Sequence, residues 1–506
     1  MFKTETNMLI FRATMTLDNA KRRGLGKIIL IAAALNLAGF TVTAQEVSAI
    51  EALTVEPHTF TANDGTTVQA EKGVIKVPEH RGQPGSRTLS LTFIRFPSTS
   101  ANPGDPVVYL AGGPGGSGSG TAKGSRFPLF MAMREVADVI AFDQRGTGMS
   151  NEIPRCSPET ALLATLTRDE LLGYYRAELE RCFEWWESEG VAIDGYTTLE
   201  SAHDIEDLRS ALGVERLNLW GISYGSHLGF AALKYYPEIA NRAVFAGIEG
   251  LNETIKRPAL TDEYFRRMQE RINADPAAEA FYPDLLGLMR RVHQKLNAEP
   301  AVVEITPRGS DTPLTVTYDG FAIQLLTASS TADPSGFANL PLLYLALDNG
   351  QYELAGGLLY GAFQAQVSSF RGMPEAMDLA SGITAERMAQ IREEANSSVL
   401  GDALNFPMPH IAGIRPEIDL GDSFREGFQS NTPVLLISGT LDGRTYPEAS
   451  AQQMNTFPNG QRLIVENGGH NIFEADQRVA DAVISFFKGE TVPASITMDM
   501  PSFSTP

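Results

Sequence analysis

The sequence predicts an α/β protein built on a mostly parallel sheet. Three observations predict it. Short apolar runs recur and each ends on Gly or a polar turn; amphipathic helical patterns lie between them; and one long strand-poor stretch interrupts the alternation late in the chain. The first element is β-rich, because residues 68–98 alternate in strand fashion around a turn of Pro, Gly and Arg. The apolar runs follow: VVYLAGG at 107–113, VADVIAFD at 136–143, LNLWGISYG at 217–225, RAVFAGIEG at 242–250, PVLLISGTLD at 433–442 and RLIVENGG at 462–469. Continuous apolar runs of this length suit strands covered by helices on both faces. Before the third run, Leu199, Ala202, Ile205, Leu208 and Leu212 fall at helical spacing, and Gly213 supplies the stop.

From about Asn252 to Gly427 the strand signals nearly vanish, apart from the polar β-like stretch VVEITPRGSDTPLTVTYDG. Residues 251–427 are therefore read as a large, mainly helical cap inserted between the sixth and seventh core strands. Insertions at the C-terminal edge of a parallel sheet lie over its ligand crevice. The core then comprises residues 45–250 and 428–490. Residues 491–506 are Thr, Pro, Ser and Met without period, and are expected to form a flexible tail.

Composition narrows the function. Of 506 residues 43% are apolar and 20% charged, ordinary for a globular chain, and 41 basic against 61 acidic side chains leave a net charge of −20. Such a surface repels phosphate backbones, which argues against a nucleic-acid partner. Lys21, Arg22, Arg23 and Lys27 precede an apolar run from Ile28 to Phe40, and Val42-Thr43-Ala44 then supplies small residues before a cut after Ala44. Thirteen residues rise only about 20 Å as a helix, short of the bilayer core. Residues 1–44 thus read as a secretory signal peptide, giving a periplasmic or secreted protein with no stable membrane association after cleavage. In an oxidising compartment Cys156 and Cys182, the two cysteines of the chain, are expected to form a disulfide. Neither lies in a CxxC spacing, and the seven His include no HExxH pair, so neither metal nor cofactor is expected.

Gly221-Ile222-Ser223-Tyr224-Gly225 matches GxSxG at the end of an apolar strand and the start of an apolar helix, the context in which a serine nucleophile sits on a sharp turn. A hydroxyl needs a base to become nucleophilic, and the base needs an orienting carboxylate. Asp442 stands just past one apolar run and His470 just past the next, giving the order Ser, Asp, His of an α/β-hydrolase. Asp143 also ends a strand but precedes Ser223 and breaks that order. His227, four residues after Ser223, is assigned to helix packing. The oxyanion donors are expected to be the backbone N–H of Tyr224 and that of Gly113, in the Gly-rich turn 111–118. A phosphate loop is the poorer reading of that turn, since no GK[ST] follows and Pro114 lacks an N–H.

With these residues in place, the chain resembles the proline iminopeptidase and tripeptidyl aminopeptidase branch of the α/β-hydrolases, serine peptidase family S33. GGPGGSG at 112–118 resembles its oxyanion segment, Asp143-Gln144-Arg145-Gly146 its DQRG turn, and TPVLLISGTLDGRTYP the C-terminal region of tripeptidyl aminopeptidases. Ala111 departs from the His or Asn often found there, and GIEGLNETIKRP after the sixth strand has no clear counterpart. The resemblance implies an exported serine peptidase that releases residues from the N-terminus of short peptides through Ser223, His470 and Asp442. An aminopeptidase must hold a substrate ammonium, for which Glu249 and Glu253, close after the sixth strand, are the candidates. The same triad would serve a carboxylesterase or lactonase. A catalytically silent binding protein is disfavoured because all three triad residues are present.

Overall fold

The apolar runs become the middle of a ten-stranded sheet. A computed structural model of the chain describes residues 53–506, apart from 160–163, 310 and 368; the expected signal segment 1–44 lies outside the described residues. The strands are β1 (Thr54–Thr61), β2 (Thr67–Pro78), β3 (Thr88–Phe96), β4 (Val107–Leu110), β5 (Val139–Phe142), β6 (Thr165–Leu166) and β7 (Leu217–Ile222). They continue as β8 (Ala240–Ala246), β9 (Ala301–Ile305), β10 (Leu314–Tyr318), β11 (Val434–Gly439), β12 (Gln461–Glu466) and β13 (Ser495–Thr497). The large sheet has the order β1-β2-β3-β5-β4-β7-β8-β11-β12-β13. Its first three strands form an antiparallel meander joined antiparallel to β5, and from β5 to β13 every neighbouring pair is parallel.

Burial explains why these runs are so largely apolar, with Asn218 of β7 and Ser438 of β11 as buried polar exceptions. Every residue of β4, β5, β7 and β11 is buried. Alternate side chains serve two cores: Val108, Leu110 and Leu219 pack on one face with Leu208 and Leu228, while Val107, Tyr109 and Trp220 pack on the other with Phe130 and Val483. The first face is covered by the helices Thr198–Leu212 and Tyr224–Tyr235, the second by Phe127–Met133 and Gln477–Phe487. The helix Thr198–Leu212 begins where Thr197 accepts a hydrogen bond from Glu200 N and stops at Gly213, whose φ of 68° only glycine adopts freely.

Between β8 and β11 the chain is mostly helical, and the polar β-like stretch forms the antiparallel pair β9–β10. Two features differ from expectation. The strand-poor region does not build its small sheet alone, because β6 pairs with β10 and Cys156 bridges to Phe370. Residues before Ser223 therefore share its small sheet. The last residues are not a loose tail either: β13 extends the parallel sheet beside β12, and Phe503 is buried against Phe337. Tyr282 Oη donates to the Ser504 carbonyl at 2.6 Å. Ile496 and Phe503 supply apolar anchors at single positions, which leave no periodic signal.

Candidate active site

Ser223 occupies the turn between β7 and the helix Tyr224–Tyr235, with φ 56° and ψ −127°. Among the described non-glycine residues only Asn467 shares a positive φ, so the serine is held in a strained conformation of the kind concentrated at functional sites. The flanking glycines are required by close approach: a Cβ on Gly221 would lie 2.6 Å from the Gly225 carbonyl oxygen, and one on Gly225 only 2.0 Å from that of Leu110. The N–H of Tyr224 opens the helix and has no intrahelical acceptor.

The Gly-rich turn lies against this elbow. A Cβ on Gly112 would sit 2.8 Å from the Ile222 carbonyl oxygen and 3.1 Å from Ser223 Cβ, and Gly113 and Gly115 have φ of 127° and 93°. The DQRG residues brace the turn. Buried Asp143 accepts from Ser117 Oγ (2.7 Å), Ser119 N (3.0 Å), Ser119 Oγ (2.6 Å) and Met149 N (2.9 Å). Gln144 Nε2 donates to the Ala111 carbonyl at 3.0 Å. Arg145 faces away, into a buried ion pair with Asp204 at 2.6 Å.

His470 and Asp442 come together: Nδ1 lies 2.9 Å from Asp442 Oδ2. The ring abuts Gly247, where a Cβ would lie 2.9 Å from His470 Cε1. Ser223 N donates to the carbonyl of Ala246, the residue before Gly247, so Ser223 and the imidazole flank the same strand end. Burial pushes the Asp442 carboxyl up, but the imidazole beside it and the hydrogen bonds from His470 and Thr445 outweigh this and hold it below the usual carboxylate range. Oδ1 accepts from Arg444 N (2.7 Å) and Thr445 N (2.8 Å), and Oδ2 accepts from Thr445 Oγ1 (2.6 Å). Both loops lean on residues 331–333. His470 N donates to the Ala332 carbonyl at 2.7 Å, Gly443 N to that of Thr331 at 3.0 Å, and Asn471 binds the Asp333 carboxylate.

Ser223 opens on a cavity of about 100 Å³ lined by Gly113, Glu249, Lys256, Asp378, Arg444 and Thr445, among others. Glu249 is buried and paired with Lys256 at 2.8 Å. Glu253 is not in this cavity. It turns back to accept from Gly250 N at 2.8 Å and lines a neighbouring pocket. The acid that joins Glu249 is Asp378, from the helix Met373–Ser381. Burial, with Glu249 adding to it, pushes the Asp378 carboxyl up to about 8. Sequence reasoning missed Asp378, Lys256, Arg444 and Thr445. Of these only Arg444 and Thr445, two and three positions after Asp442, had a local signal, since an aspartate commonly accepts from N–H groups two or three residues on. Cys156 and Cys182 are joined by a disulfide. Among the described residues no group of three His, Cys, Asp or Glu side chains is arranged to hold a metal ion, and no helix is long and apolar enough to cross a membrane.

A parallel sheet with a strained serine at a strand-to-helix turn defines an α/β-hydrolase. The family model for the alpha/beta hydrolase fold matches residues 105–477, and the chain belongs to that family. Among characterised relatives it is similar to a tripeptidyl aminopeptidase of Streptomyces coelicolor, 28% identical over 193 residues that cover 34% of each chain. It is also similar to the serine protease Hip1 of Mycobacterium tuberculosis, 30% identical over 186 residues and 35% of each chain. A probable proline iminopeptidase of Streptomyces coelicolor is 30% identical over 152 residues, 30% of this chain and 35% of that one. The matched stretch thus spans about a third of the length of these relatives.

Proposed function

We propose that the protein is an exported serine aminopeptidase of prolyl or tripeptidyl type acting on short peptides. Ser223 Oγ attacks the scissile carbonyl carbon while His470 Nε2 accepts its proton. The N–H groups of Tyr224 and Gly113 hold the resulting oxyanion. Collapse expels the amine, which takes the proton back from His470 and leaves an acyl-enzyme. Water, deprotonated by His470, then releases the acid and restores the serine. Asp442 remains ionised throughout, orienting the imidazole and stabilising its charged form.

The observation that carries this reading is the pairing of Glu249 and Asp378 in the cavity beside Ser223. Two carboxyl groups suit the free ammonium of a peptide N-terminus, and Asp378, which has no hydrogen-bond partner for its carboxyl among the described residues, is the better placed to take it. The names of the relatives, two aminopeptidase types and a protease, support peptide over ester substrates. The test compares Pro-, Ala- and tripeptidyl-anilides with p-nitrophenyl esters, using wild type and Ser223→Ala. Anilide turnover lost in the variant, with fluorophosphonate labelling of Ser223, is expected. Ester turnover without anilide cleavage would replace the aminopeptidase with a carboxylesterase or lactonase.

A further inference from the structure

His227 lies one helical turn beyond Ser223, is fully buried, and takes no part in the proton transfers above. Both ring nitrogens are nevertheless engaged. Nδ1 is 3.1 Å from the Gly250 carbonyl oxygen and Nε2 is 3.0 Å from Ser381 Oγ. A carbonyl only accepts, so Nδ1 carries the proton and Nε2 of the neutral ring accepts from the serine hydroxyl. Burial favours that neutral ring by pushing its pKa down, against opposing pulls from Glu249 and the Gly250 carbonyl. Ser381, its hydrogen committed, in turn accepts from Thr198 Oγ1 at 2.8 Å. The polarity of the chain is fixed from one end.

The two partners of the ring are each neighbours of a pocket acid. Gly250 follows Glu249 directly, and Ser381 lies one turn after Asp378 on the same helix. We infer that His227 is a positioning residue whose two nitrogens tie the Glu249 loop and the Asp378 helix to the helix behind Ser223, setting the spacing of the two acids and hence recognition of a substrate's free amino group. This rests on the aminopeptidase reading of the cavity.

The two tethers can be cut separately. In His227→Asn the amide nitrogen stands near Nδ1 and keeps the Gly250 bond; in His227→Gln the amide oxygen stands near Nε2 and keeps the Ser381 bond. Each variant, and Ser381→Ala, is expected to lose roughly tenfold or more in kcat/KM for a free-amino tripeptidyl anilide, mainly through KM, as one misplaced charge-assisted contact would cost. Turnover of p-nitrophenyl acetate, which has no ammonium, should change less than about twofold. The double variant His227→Asn/Ser381→Ala should be no worse than either single, since both cut the same tether. Parallel loss on anilide and ester, or additive losses, would overturn the inference. If the wild type itself cleaves only esters, the aminopeptidase reading fails, and with it the inferred role in amino-group recognition. ¹⁵N-histidine NMR tests the tether apart from activity. A resonance pair absent from His227→Gln, with Nδ1 protonated and Nε2 bare at pH 7, is expected; a protonated Nε2 would refute the tether.

Discussion

Asp378→Asn tests the electrostatics of the cavity through stability as well as turnover. Burial, with Glu249 adding to it, raises the carboxyl from an ordinary 3.8 to about 8. Across that window the folded chain keeps a proton that the unfolded chain gives up. The unfolded state therefore binds fewer protons, and stability falls as pH rises from about 4 to about 8. At about 1.4 kcal/mol per decade of proton affinity, the four-decade displacement sets a ceiling of about 6 kcal/mol, complete only above pH 8. The carboxyl is half-buried, and water entry with local relaxation brings the working figure to about 2–3 kcal/mol. Asparagine keeps the shape and removes the charge. Urea unfolding from pH 4 to 9 should give coincident curves for variant and wild type at the acid end and a variant whose advantage grows between about pH 4 and 8 and levels off above it. The same variant should lose free-amino peptide turnover while keeping ester turnover. Equal stability differences at pH 4 and pH 9 would refute the argument, because a packing effect carries no such pH dependence.

Thr445→Val removes the hydroxyl that Asp442 Oδ2 accepts at 2.6 Å. A hydrogen bond to a charged group is worth about 1.5–3 kcal/mol, so kcat should fall roughly tenfold or more with KM little changed, and an unaltered kcat would show that the carboxylate is held by its backbone donors alone. Asp143→Asn presents an amide N–H₂ to donors that need an acceptor. The Gly-rich turn should loosen, kcat should fall, and affinity for a tetrahedral boronic acid should fall in step. A loss of substrate affinity with boronate binding intact would contradict this bracing role. Replacing Cys156 and Cys182 together by Ala should destabilise the fold by about 3–4 kcal/mol on the loop-entropy argument for a sequence separation of 26, measured by urea unfolding against the oxidised wild type, and dithiothreitol should remove most of that difference by lowering the wild type.

The legible parts of this protein are those where one local pattern has one physical cause. β4, β7 and β11 are buried at every position and apolar at all but Asn218 and Ser438 because helices cover both faces, and that pattern needs no partner to be seen. Ser223 is legible because the close approach of Gly221 to Gly225 and of Gly225 to Leu110 admits no Cβ. The exposed edge strand β1 gives no such signal, since seven of its eight residues are not buried. The acids of the cavity were only half legible. Glu249 and Glu253 follow β8 equally closely, and nothing local reveals that the second folds back onto Gly250 N. Asp378 reaches the cavity because Ser381, Thr198, Tyr224 and His227 join its helix to the core, an arrangement assembled from three separate stretches of chain.

The backbone bonds from His470 to Ala332 and from Gly443 to Thr331 bear on how such a protein could diversify. The excursion between β8 and β11 shapes the cavity and also buttresses the loops that carry His470 and Asp442. Exchanging it wholesale for a relative's version would alter selectivity and proton transfer at once. Evolution, or an engineer, would find new specificities more readily by changing side chains on the 404–408 loop while leaving the stretch at 331–333 in place.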